Sequence, residues 1–492
     1  MSTLLEKLDD VFLISKITSN RKYAAMLALG FSAGLPIMLV YTTLSAWLRE
    51  AGVDRTTIGF FIWVGFAYSL KFLWAPLTDR VRIPVLADII GNRLAWTLMA
   101  IIGVSCSMVA MGFQNPSENL FGVALCAVCI AFFSATLDIC VDAWRVDAGE
   151  DEEQATLAAI YQLGYRFGMI LAISGVLWVA DVTSWPIAYW SVAAIALIGA
   201  TTPFWASRTV EPDAKELSEI KWSRFAILIP IIALVFAFKK YIHVDDLLVF
   251  VLFLLSLPFL FAAAFLIWGQ ERLDSKSLYE IPIVGDFADI IRRYRWQTLL
   301  ILLIVMTYRV SDYTMGVMAM PLYIDLGYDK ATIGQIKGLF GVTMLIIGAF
   351  AGGWSAFKFG LPKTLIIGAI LTIVTNMAFA WLAQIQTPLP HYLLVTIGAD
   401  NLAAGYAGTA IIAFMSLLTN KNFTATQYAL FSSLVAFSGK SLAGFSGVLA
   451  DMIDYQNFFI VTALFGLPPL IAVIIAARIK IIKGRSENSN VI

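Results

Sequence analysis

The stretch from Ala51 to Gly65, AGVDRTTIGFFIWVG, has a counterpart from Leu326 to Phe340 that reads LGYDKATIGQIKGLF. Both copies place an acidic and a basic residue shortly before Thr-Ile-Gly, and the two copies lie 275 residues apart. Each copy links the first and second of six consecutive apolar segments. The repeat therefore predicts a duplicated helical architecture, in which two sets of six helices share a central site.

The composition is typical of a membrane protein. Hydrophobic residues make up 60% of the 492 residues and charged residues only 14%, too few for the surface of a soluble domain. Apolar runs of about 20 residues recur, and each is long enough to cross a bilayer core of roughly 30 Å. We predict fourteen spans, at 23–48, 57–78, 94–114, 120–144, 155–180, 186–206, 224–240, 247–268, 297–324, 331–354, 363–384, 391–418, 423–449 and 457–478.

The predicted fold class is an all-α membrane protein with two six-helix bundles and a two-helix insert. The first bundle covers 23–206, and its spans are numbered 1 to 6. The second bundle covers 297–478, and its spans are numbered 7 to 12, so the two insert spans carry no number. The linker at 207–296 holds the inserted hairpin, whose spans carry no charge in their interiors, as suits a lipid-facing structural or docking element. The tails are 1–22 and 479–492.

The distribution of basic residues predicts the orientation. Most of the 34 Lys and Arg fall in the N-terminal tail, in alternate loops and in the C-terminal tail. Cytoplasmic loops are enriched in Lys and Arg, so both termini are predicted to be cytoplasmic. The charged first 22 residues contain no apolar signal-peptide core, and we expect span 1 to act as the insertion signal. The opposite connections hold only Arg49, Arg55, Lys239, Lys240 and Lys330.

Nine ionisable residues lie well inside the predicted spans. Each costs roughly 2.5 to 3.5 kcal/mol on insertion scales, so each needs a partner or water. They are Lys71, Asp138, Asp142, Arg166, Arg309, Asp312, Lys337, Asp400 and Lys440.

Their spacing places several on common helix faces. Asp138 and Asp142 are four residues apart, as are Gln162 and Arg166, while Arg309 and Asp312 are three apart. Three spans therefore present polar stripes, which indicates a hydrophilic path. The alternative for each charge is a static interhelical salt bridge, and for Asp142 a local pair with Arg145.

A proton carrier in this interior has to be a carboxylate. Histidine titrates near neutrality, but the two histidines, His243 and His391, fall in or beside outside connections. A carboxylate removed from water can also carry a proton at neutral pH. The candidates are Asp138 first, then Asp142, Asp312 and Asp400. No cofactor is expected, with the proton as coupling ion.

Other chemistry is not supported by the sequence. GFSAG at Gly30 to Gly34 fits a nucleophile elbow but lies in an apolar span without histidine, so it is interpreted as a helix contact near a bend at Pro36. The Cys126-x-x-Cys129 pair lies inside a span with no further ligand, which argues against a metal. Zero net charge argues against nucleic acid. We therefore expect that the protein is not an enzyme.

Several segments, taken in order, resemble one family. From about residue 23 to 478 the chain resembles the AmpG-type muropeptide transporters of the major facilitator superfamily. PLTDR also resembles the superfamily's loop motif between spans 2 and 3, with Asp79 and Arg80 in its charged positions. The segments are LGFSAGLP, TIGFF, KFLWAPLTDR, SATLDICVDAW, LGYRFGM, YRVSD, DNLAAGYAGTA and FTATQYALFSSL.

This resemblance implies proton-coupled import of GlcNAc-1,6-anhydro-MurNAc, with or without a stem peptide, across a bacterial inner membrane. It further implies roles in cell-wall recycling and in the signalling that induces β-lactamase. The expected partners are the sugar-peptide and the lipid bilayer, for a monomeric protein. Bulk at Gly34, Ala135 or Gly168 is expected to obstruct helix approach or the cavity. The expected substrate-binding residues are Lys71, Tyr161, Gln162, Tyr165, Arg166, Arg309, Tyr313, Lys337 and Lys440.

The chain departs from the family pattern at three positions within the segments that resemble it. Leu137 stands where AmpG-type sequences carry glutamine, so substrate contacts near span 4 remain open. Arg309 and Asp400 replace lysine and glutamate and preserve the charges. Two alternatives also remain: a facilitator for another solute, such as an acyl-CoA or a drug, and a membrane receptor that binds wall fragments without moving them.

Overall fold

The computed structural model describes residues 20–71, 74–75, 78, 81–148, 153–206, 244–268, 284–385, 387–419, 424–479 and 481. Every regular element among these residues is helical, which confirms the predicted all-α class. The predicted span 224–240 and most of both tails lie outside the described residues, as do Asp79 and Arg80.

The described residues of the first six-span set form eleven α-helices. A 3₁₀ segment, Ile62–Gly65, joins α3 to α4, and a π-helical segment, Leu171–Gly175, joins α8 to α9. The helices are α1 Arg21–Val40, α2 Thr42–Glu50, α3 Arg55–Phe61, α4 Phe66–Leu70, α5 Leu86–Ile90, α6 Asn92–Gly112, α7 Leu120–Ala148, α8 Gln154–Ile170, α9 Val176–Val182, α10 Trp185–Gly199 and α11 Thr202–Ala206.

The remaining described chain also forms eleven α-helices. A second π-helical segment, Gln335–Phe340, joins α16 to α17. The helices are α12 Val244–Trp268, α13 Val284–Tyr294, α14 Gln297–Thr307, α15 Val310–Asp325, α16 Lys330–Gly334, α17 Gly341–Phe359, α18 Leu361–Leu382, α19 Pro390–Leu418, α20 Thr424–Ala443, α21 Ser446–Leu464 and α22 Leu467–Arg478.

Eleven stretches of the described chain are helical, long and apolar enough to cross a bilayer, so the protein is a multi-pass membrane protein. Leu430–Ala443, the later part of α20, is a shorter apolar helical stretch. Span 2 was expected at 57–78, and its described residues up to Leu70 pass from α3 through the 3₁₀ segment to α4 instead of forming one continuous α-helix. Fourteen spans therefore stays a prediction, while the helical membrane architecture is confirmed.

Several spans are interrupted where the backbone pattern changes. Span 1 is divided at Tyr41, whose φ of −107° and ψ of −85° end α1 five residues after Pro36. Proline removes a helical donor, so a bend shortly after it is expected. Span 7 is divided between α14 and α15, and spans 5 and 8 each contain a π-helical segment, a feature frequent at functional sites.

Two compact units emerge from the packing. The first contains the described residues up to 53, those from 64 to 206, and 329 to 339; the second contains 54 to 63 and the other described residues. The second unit also contains α12 and α13 of the predicted linker 207–296, while 54 to 63 and 329 to 339 are each grouped with the other half of the chain. These segments are the starts of spans 2 and 8, where the sequence repeat lies.

The first unit has a core of apolar side chains from spans 1, 3, 4 and 5, including Met26, Leu98 and Leu137. The core of the second unit comes mainly from spans 7, 9, 10, 11 and 12, and Phe414 and Phe431 are fully buried there. Within a bilayer, close van der Waals packing rather than removal of apolar surface from water stabilises such cores. These cores hold the helices that carry the ionisable residues.

The described helix of the insert, α12, packs on the second unit through one face. Ala262 and Leu266 are buried against α13 and α14. Val249, Leu252 and Phe253 on its other side are at least half exposed. An apolar side of this kind suits contact with lipid acyl chains.

Candidate functional site

The first unit brings polar side chains of spans 4 and 5 together. The hydroxyl of Tyr161, on α8, donates a hydrogen bond of 3.4 Å to Oδ1 of Asp138, on α7. The Tyr161 and Tyr165 rings lie 6.0 Å apart between centroids, tilted by 47°. This combination offers one carboxylate and two aromatic faces to a ligand.

The two aspartates of span 4 have different surroundings. Asp142 lies 3.5 Å from the guanidinium of Arg145, and its side chain is 46% exposed. Asp138 is partly buried and bonded to Tyr161, while the charges of Lys71 and Asp142 act on it at longer range. The local pair predicted as the alternative for Asp142 is therefore present. Asp138 keeps the more apolar position.

Arg166 is the basic residue of span 5 beside Tyr165. Among the described residues its guanidinium forms no ion pair, and its hydrogen-bond contact is a weak one of 3.5 Å to Sδ of Met169. Tyr165, the preceding residue on α8, acts on it electrostatically. A partly buried cation without an anion favours an anionic ligand, because the ligand can supply the missing charge.

Close backbone packing between spans 1 and 5 positions the tyrosines. A Cβ on Gly34 would lie 2.2 Å from the carbonyl oxygen of Tyr165, and one on Gly30 would lie 2.3 Å from that of Tyr161. Conversely, a Cβ on Gly168 of span 5 would lie 2.3 Å from the carbonyl oxygen of Phe31 on span 1. Small residues allow helices in membranes to approach this closely. The contact fixes the depth and rotation of α8.

The second unit holds a second cluster at the break in span 7. Arg309 has a φ of −106° and a ψ of 0° between α14 and α15. Its guanidinium lies 2.8 Å from Oδ2 of Asp312, without the angles of a hydrogen bond, and donates a hydrogen bond of 3.1 Å to the carbonyl of Ala404. Asp400 and Tyr313 also act on it electrostatically. Arg309 is thus neutralised locally, unlike Arg166.

Uncharged residues that sequence reasoning missed anchor this break. The hydroxyl of Ser311 donates 2.6 Å to the carbonyl of Thr462, and the amide nitrogen of Asn376 donates 2.7 Å to Ser311 Oγ. On the other side of Arg309, the hydroxyl of Tyr308 donates 2.8 Å to the carbonyl of Leu365. A search for charged residues could not find them, although asparagine in an apolar span is itself a signal.

The other predicted site residues are more scattered. Ala135 is fully buried in α7, whereas Gln162 is exposed. Lys337 lies in the π-helical segment of span 8, and Lys440 is 8% exposed, next to Gly439, where Tyr313 packs. Tyr68, which was not predicted, is acted on by Asp138 and belongs with the first cluster.

The chain matches the family model of the Major Facilitator Superfamily over residues 26–307. It is 30% identical to a putative transporter AmpG 4 of Rickettsia felis, over 93% of this chain and 97% of that protein. It is also 30% identical to the anhydromuropeptide permease of Escherichia coli K12, over 94% of this chain and 81% of the permease.

Solved structures of transporters share the fold. A POT family transporter in complex with 5-aminolevulinic acid is similar with a TM-score of 0.64 at 14% identity, over 94% of this chain and 96% of that one. The nucleoside transporter NupG is similar with a TM-score of 0.59 at 13% identity, over 93% and 99% of the two chains. The family model and the sequence relatives establish that the chain belongs to the AmpG-type transporters of the major facilitator superfamily.

Proposed function

We propose that this protein imports muropeptides, GlcNAc-1,6-anhydro-MurNAc with or without a stem peptide, from the periplasm to the cytoplasm together with protons. The Escherichia coli relative is named an anhydromuropeptide permease, and the chain covers most of that protein's length. The proposal places the protein in a bacterial inner membrane, with both termini cytoplasmic. Wall recycling and the induction of β-lactamase are its proposed roles.

One observation in the first unit carries the proposal: Arg166 has no acidic partner among the described residues, while the Asp138 carboxylate on span 4 is held by Tyr161. The lactyl and peptide carboxylates of a muropeptide would supply the anion that Arg166 lacks. The faces of Tyr161 and Tyr165 would cover sugar rings. Asp138 would then be free to exchange a proton.

The proposed cycle balances one proton against one solute. Protonated Asp138 releases its proton to the cytoplasmic side when the solute leaves, and it takes up another from the periplasm before the next solute enters. One positive charge moving down 100 mV is worth about 2.3 kcal/mol. An anionic solute cancels this electrical contribution, so the chemical proton gradient has to drive uptake of charged muropeptides.

Reconstituted vesicles test this function. We expect labelled anhydromuropeptide to accumulate above the outside concentration under an inward proton gradient, and a protonophore to abolish the accumulation. Saturable binding without accumulation would instead support a receptor. Accumulation of an acyl-CoA or a drug, but not of muropeptide, would support another solute. Sugar alone, peptide alone and the intact conjugate, compared in the same vesicles, identify which part is recognised.

A further inference from the structure

The segment that leads into span 7 ends in basic and aromatic residues. Residues 292–296 read RRYRW, where α13 ends and α14 begins. Arg292 and Arg295 are exposed, and Trp296 is 56% exposed. We call these three residues the basic turn. Because the distribution of Lys and Arg predicts this end of span 7 to be cytoplasmic, the basic turn is expected at the level of the cytoplasmic lipid headgroups.

The opposite side of α13 is buried in the second unit. Phe287, Ala288 and Ile291 pack in a core that also contains Ala262 and Leu266 of α12. The helix therefore has an apolar face toward the protein and a basic face away from it. Amphipathic helices of this kind lie in the membrane interface and present their basic side chains to lipid headgroups.

Arg293 fixes α13 to the neighbouring spans. Its guanidinium donates hydrogen bonds of 2.9 Å to Oδ2 of Asp289, to the carbonyl of Leu418 at the end of span 10, and to Oε1 of Gln427 on span 11. The amide nitrogen of Gln427 donates 2.8 Å to the same oxygen of Asp289. The charge of Arg293 is thus used inside the protein, and the network gives the basic turn a rigid support.

The backbone at Arg295 is strained. Its φ of 48° lies in the left-handed region, which a residue with a Cβ adopts at a cost in free energy. Bonds on both sides hold it there: its amide donates 2.7 Å to the Ile291 carbonyl, and the amide of the fully buried Thr298 donates 3.0 Å to its own carbonyl. Among the residues that the structure describes, Arg295 forms no ion pair. Since glycine would make this turn at lower cost, the arginine points to a role for its side chain.

An apolar surface adjoins α13. The ring of Phe261, on α12, lies 5.4 Å from that of Phe287 and is 37% exposed. Leu257 and Leu260 on the same helix are also exposed. A ligand with a charged headgroup and long acyl chains therefore finds basic and apolar surfaces on neighbouring helices.

We propose that Arg292, Arg295 and Trp296 bind the headgroup of an anionic phospholipid, such as phosphatidylglycerol, in the cytoplasmic leaflet. Guanidinium groups donate paired hydrogen bonds to phosphate oxygens, and tryptophan favours the interface between headgroups and acyl chains. The two arginines supply the charge that complements the phosphodiester. The inference goes beyond the proposed function, because it applies to whatever solute is carried.

Lipid binding to the purified protein tests the site without substrate or gradient. The protein in detergent is titrated with phosphatidylglycerol, or with phosphatidylcholine of the same acyl chains, and bound lipid is counted by native mass spectrometry. Each basic residue near an anionic lipid strengthens binding roughly fivefold. Arg292→Gln/Arg295→Gln should therefore lower the affinity for the first phosphatidylglycerol about tenfold or more. The weaker binding of phosphatidylcholine should not change.

A matched double variant separates this site from general surface charge. Arg21, which begins α1, and Arg478, which ends α22, are exposed at predicted cytoplasmic ends of other spans. Arg21→Gln/Arg478→Gln removes the same charge and should leave the first phosphatidylglycerol bound as tightly as in the native chain. Equal losses in the two double variants would overturn the site. Inorganic phosphate that displaces the lipid at equal concentration would overturn its assignment to a phospholipid.

Substitutions of Arg295 distinguish lipid binding from a structural role. Arg295→Gly should unfold in lipid-free detergent at the native temperature or above it, because glycine adopts a positive φ freely. The same variant should bind phosphatidylglycerol about fivefold more weakly, whereas Arg295→Lys should keep most of the affinity. Native affinity in Arg295→Gly, or a lower unfolding temperature, would overturn the proposal. Neither result depends on whether the protein carries muropeptides.

Discussion

The hydroxyl of Tyr161 donates a 3.4 Å hydrogen bond to Asp138, and so joins span 5 to the carboxylate proposed to carry the proton. Tyr161→Phe removes that donor and leaves the ring. We expect gradient-driven uptake in vesicles to fall about fivefold, the equivalent of roughly 1 kcal/mol. Tyr189→Phe is the control, because Tyr189 is also buried but donates to the Leu39 carbonyl. Equal uptake by Tyr161→Phe and the native chain would contradict this role.

Arg166 should contribute to binding of the solute's anionic groups. We expect Arg166→Gln to raise the KM for a muropeptide with free carboxylates about tenfold or more, since a charge-assisted hydrogen bond is worth roughly 1.5 to 3 kcal/mol. The KM for the same compound with amidated carboxyls should change little, and Arg166→Lys should lie between. Initial uptake rates over a concentration series provide the values. A similar loss for charged and amidated compounds would assign Arg166 a structural role.

The contact between spans 1 and 5 should not tolerate a methyl group. Gly34→Ala places Cβ 2.2 Å from the Tyr165 carbonyl oxygen, so α1 and α8 have to separate. We expect a loss of about 1 to 3 kcal/mol in stability, as for other overpacked interfaces. Thermal unfolding in detergent measures it. Gly353→Ala is the matched control, with nothing within 4 Å of the added Cβ. A Gly34→Ala protein as stable as Gly353→Ala would refute the packing argument.

Asn376 should act on the Arg309 cluster through Ser311. Asn376→Ala leaves Ser311 without its donor, and removal of such a buried partner costs about 1 to 3 kcal/mol. We expect a lower unfolding temperature and a higher KM for anionic solute. Thr372→Val is a suitable comparison, because the Thr372 hydroxyl donates to the Gly368 carbonyl of its own helix. The hypothesis fails if both variants behave alike.

The cap of α16 should be sensitive to acid. Burial opposes ionisation of Asp329, but hydrogen bonds from the Thr332 hydroxyl and backbone amides outweigh it and lower the pKa from its ordinary value of 3.8. A lowered folded pKa means that the stabilisation is complete at neutral pH and is lost as the pH falls through the folded pKa. Asp329→Ala should speed exchange at the Thr332 amide about fivefold at pH 7. Asp54→Ala should do the same at Thr57, and no change in either would argue against the caps.

Much of the architecture follows from hydrophobic length alone. Long apolar runs identify spans 1, 3, 4 and 6 to within a few residues, because hydrocarbon thickness fixes helix length. The interruptions within the spans could not be predicted from hydrophobic length. Span 2 was expected as one helix from 57 to 78, yet it passes through a 3₁₀ segment, and an apolar pattern does not report such local changes in backbone geometry.

The candidate site was also predicted only in part. Spacing on α7 correctly placed Asp138 and Asp142 on one helix, but only tertiary packing decides that one meets Tyr161 and the other Arg145. The repeat identified Arg55 and Lys330 as equivalent positions. Arg55 pairs with Asp325 and Lys330 pairs with Glu50. These partners could not be predicted, because sequence does not specify which helix ends meet in space.

The most direct test of the central claim measures Asp138→Asn in reconstituted vesicles under two conditions. With an inward proton gradient, we expect this variant to accumulate no labelled anhydromuropeptide. With equal pH and unlabelled muropeptide inside, it should still exchange labelled for unlabelled solute, because the amide mimics the protonated carboxyl. Gradient-driven accumulation at the native rate in Asp138→Asn would contradict the assignment of Asp138 as the proton carrier.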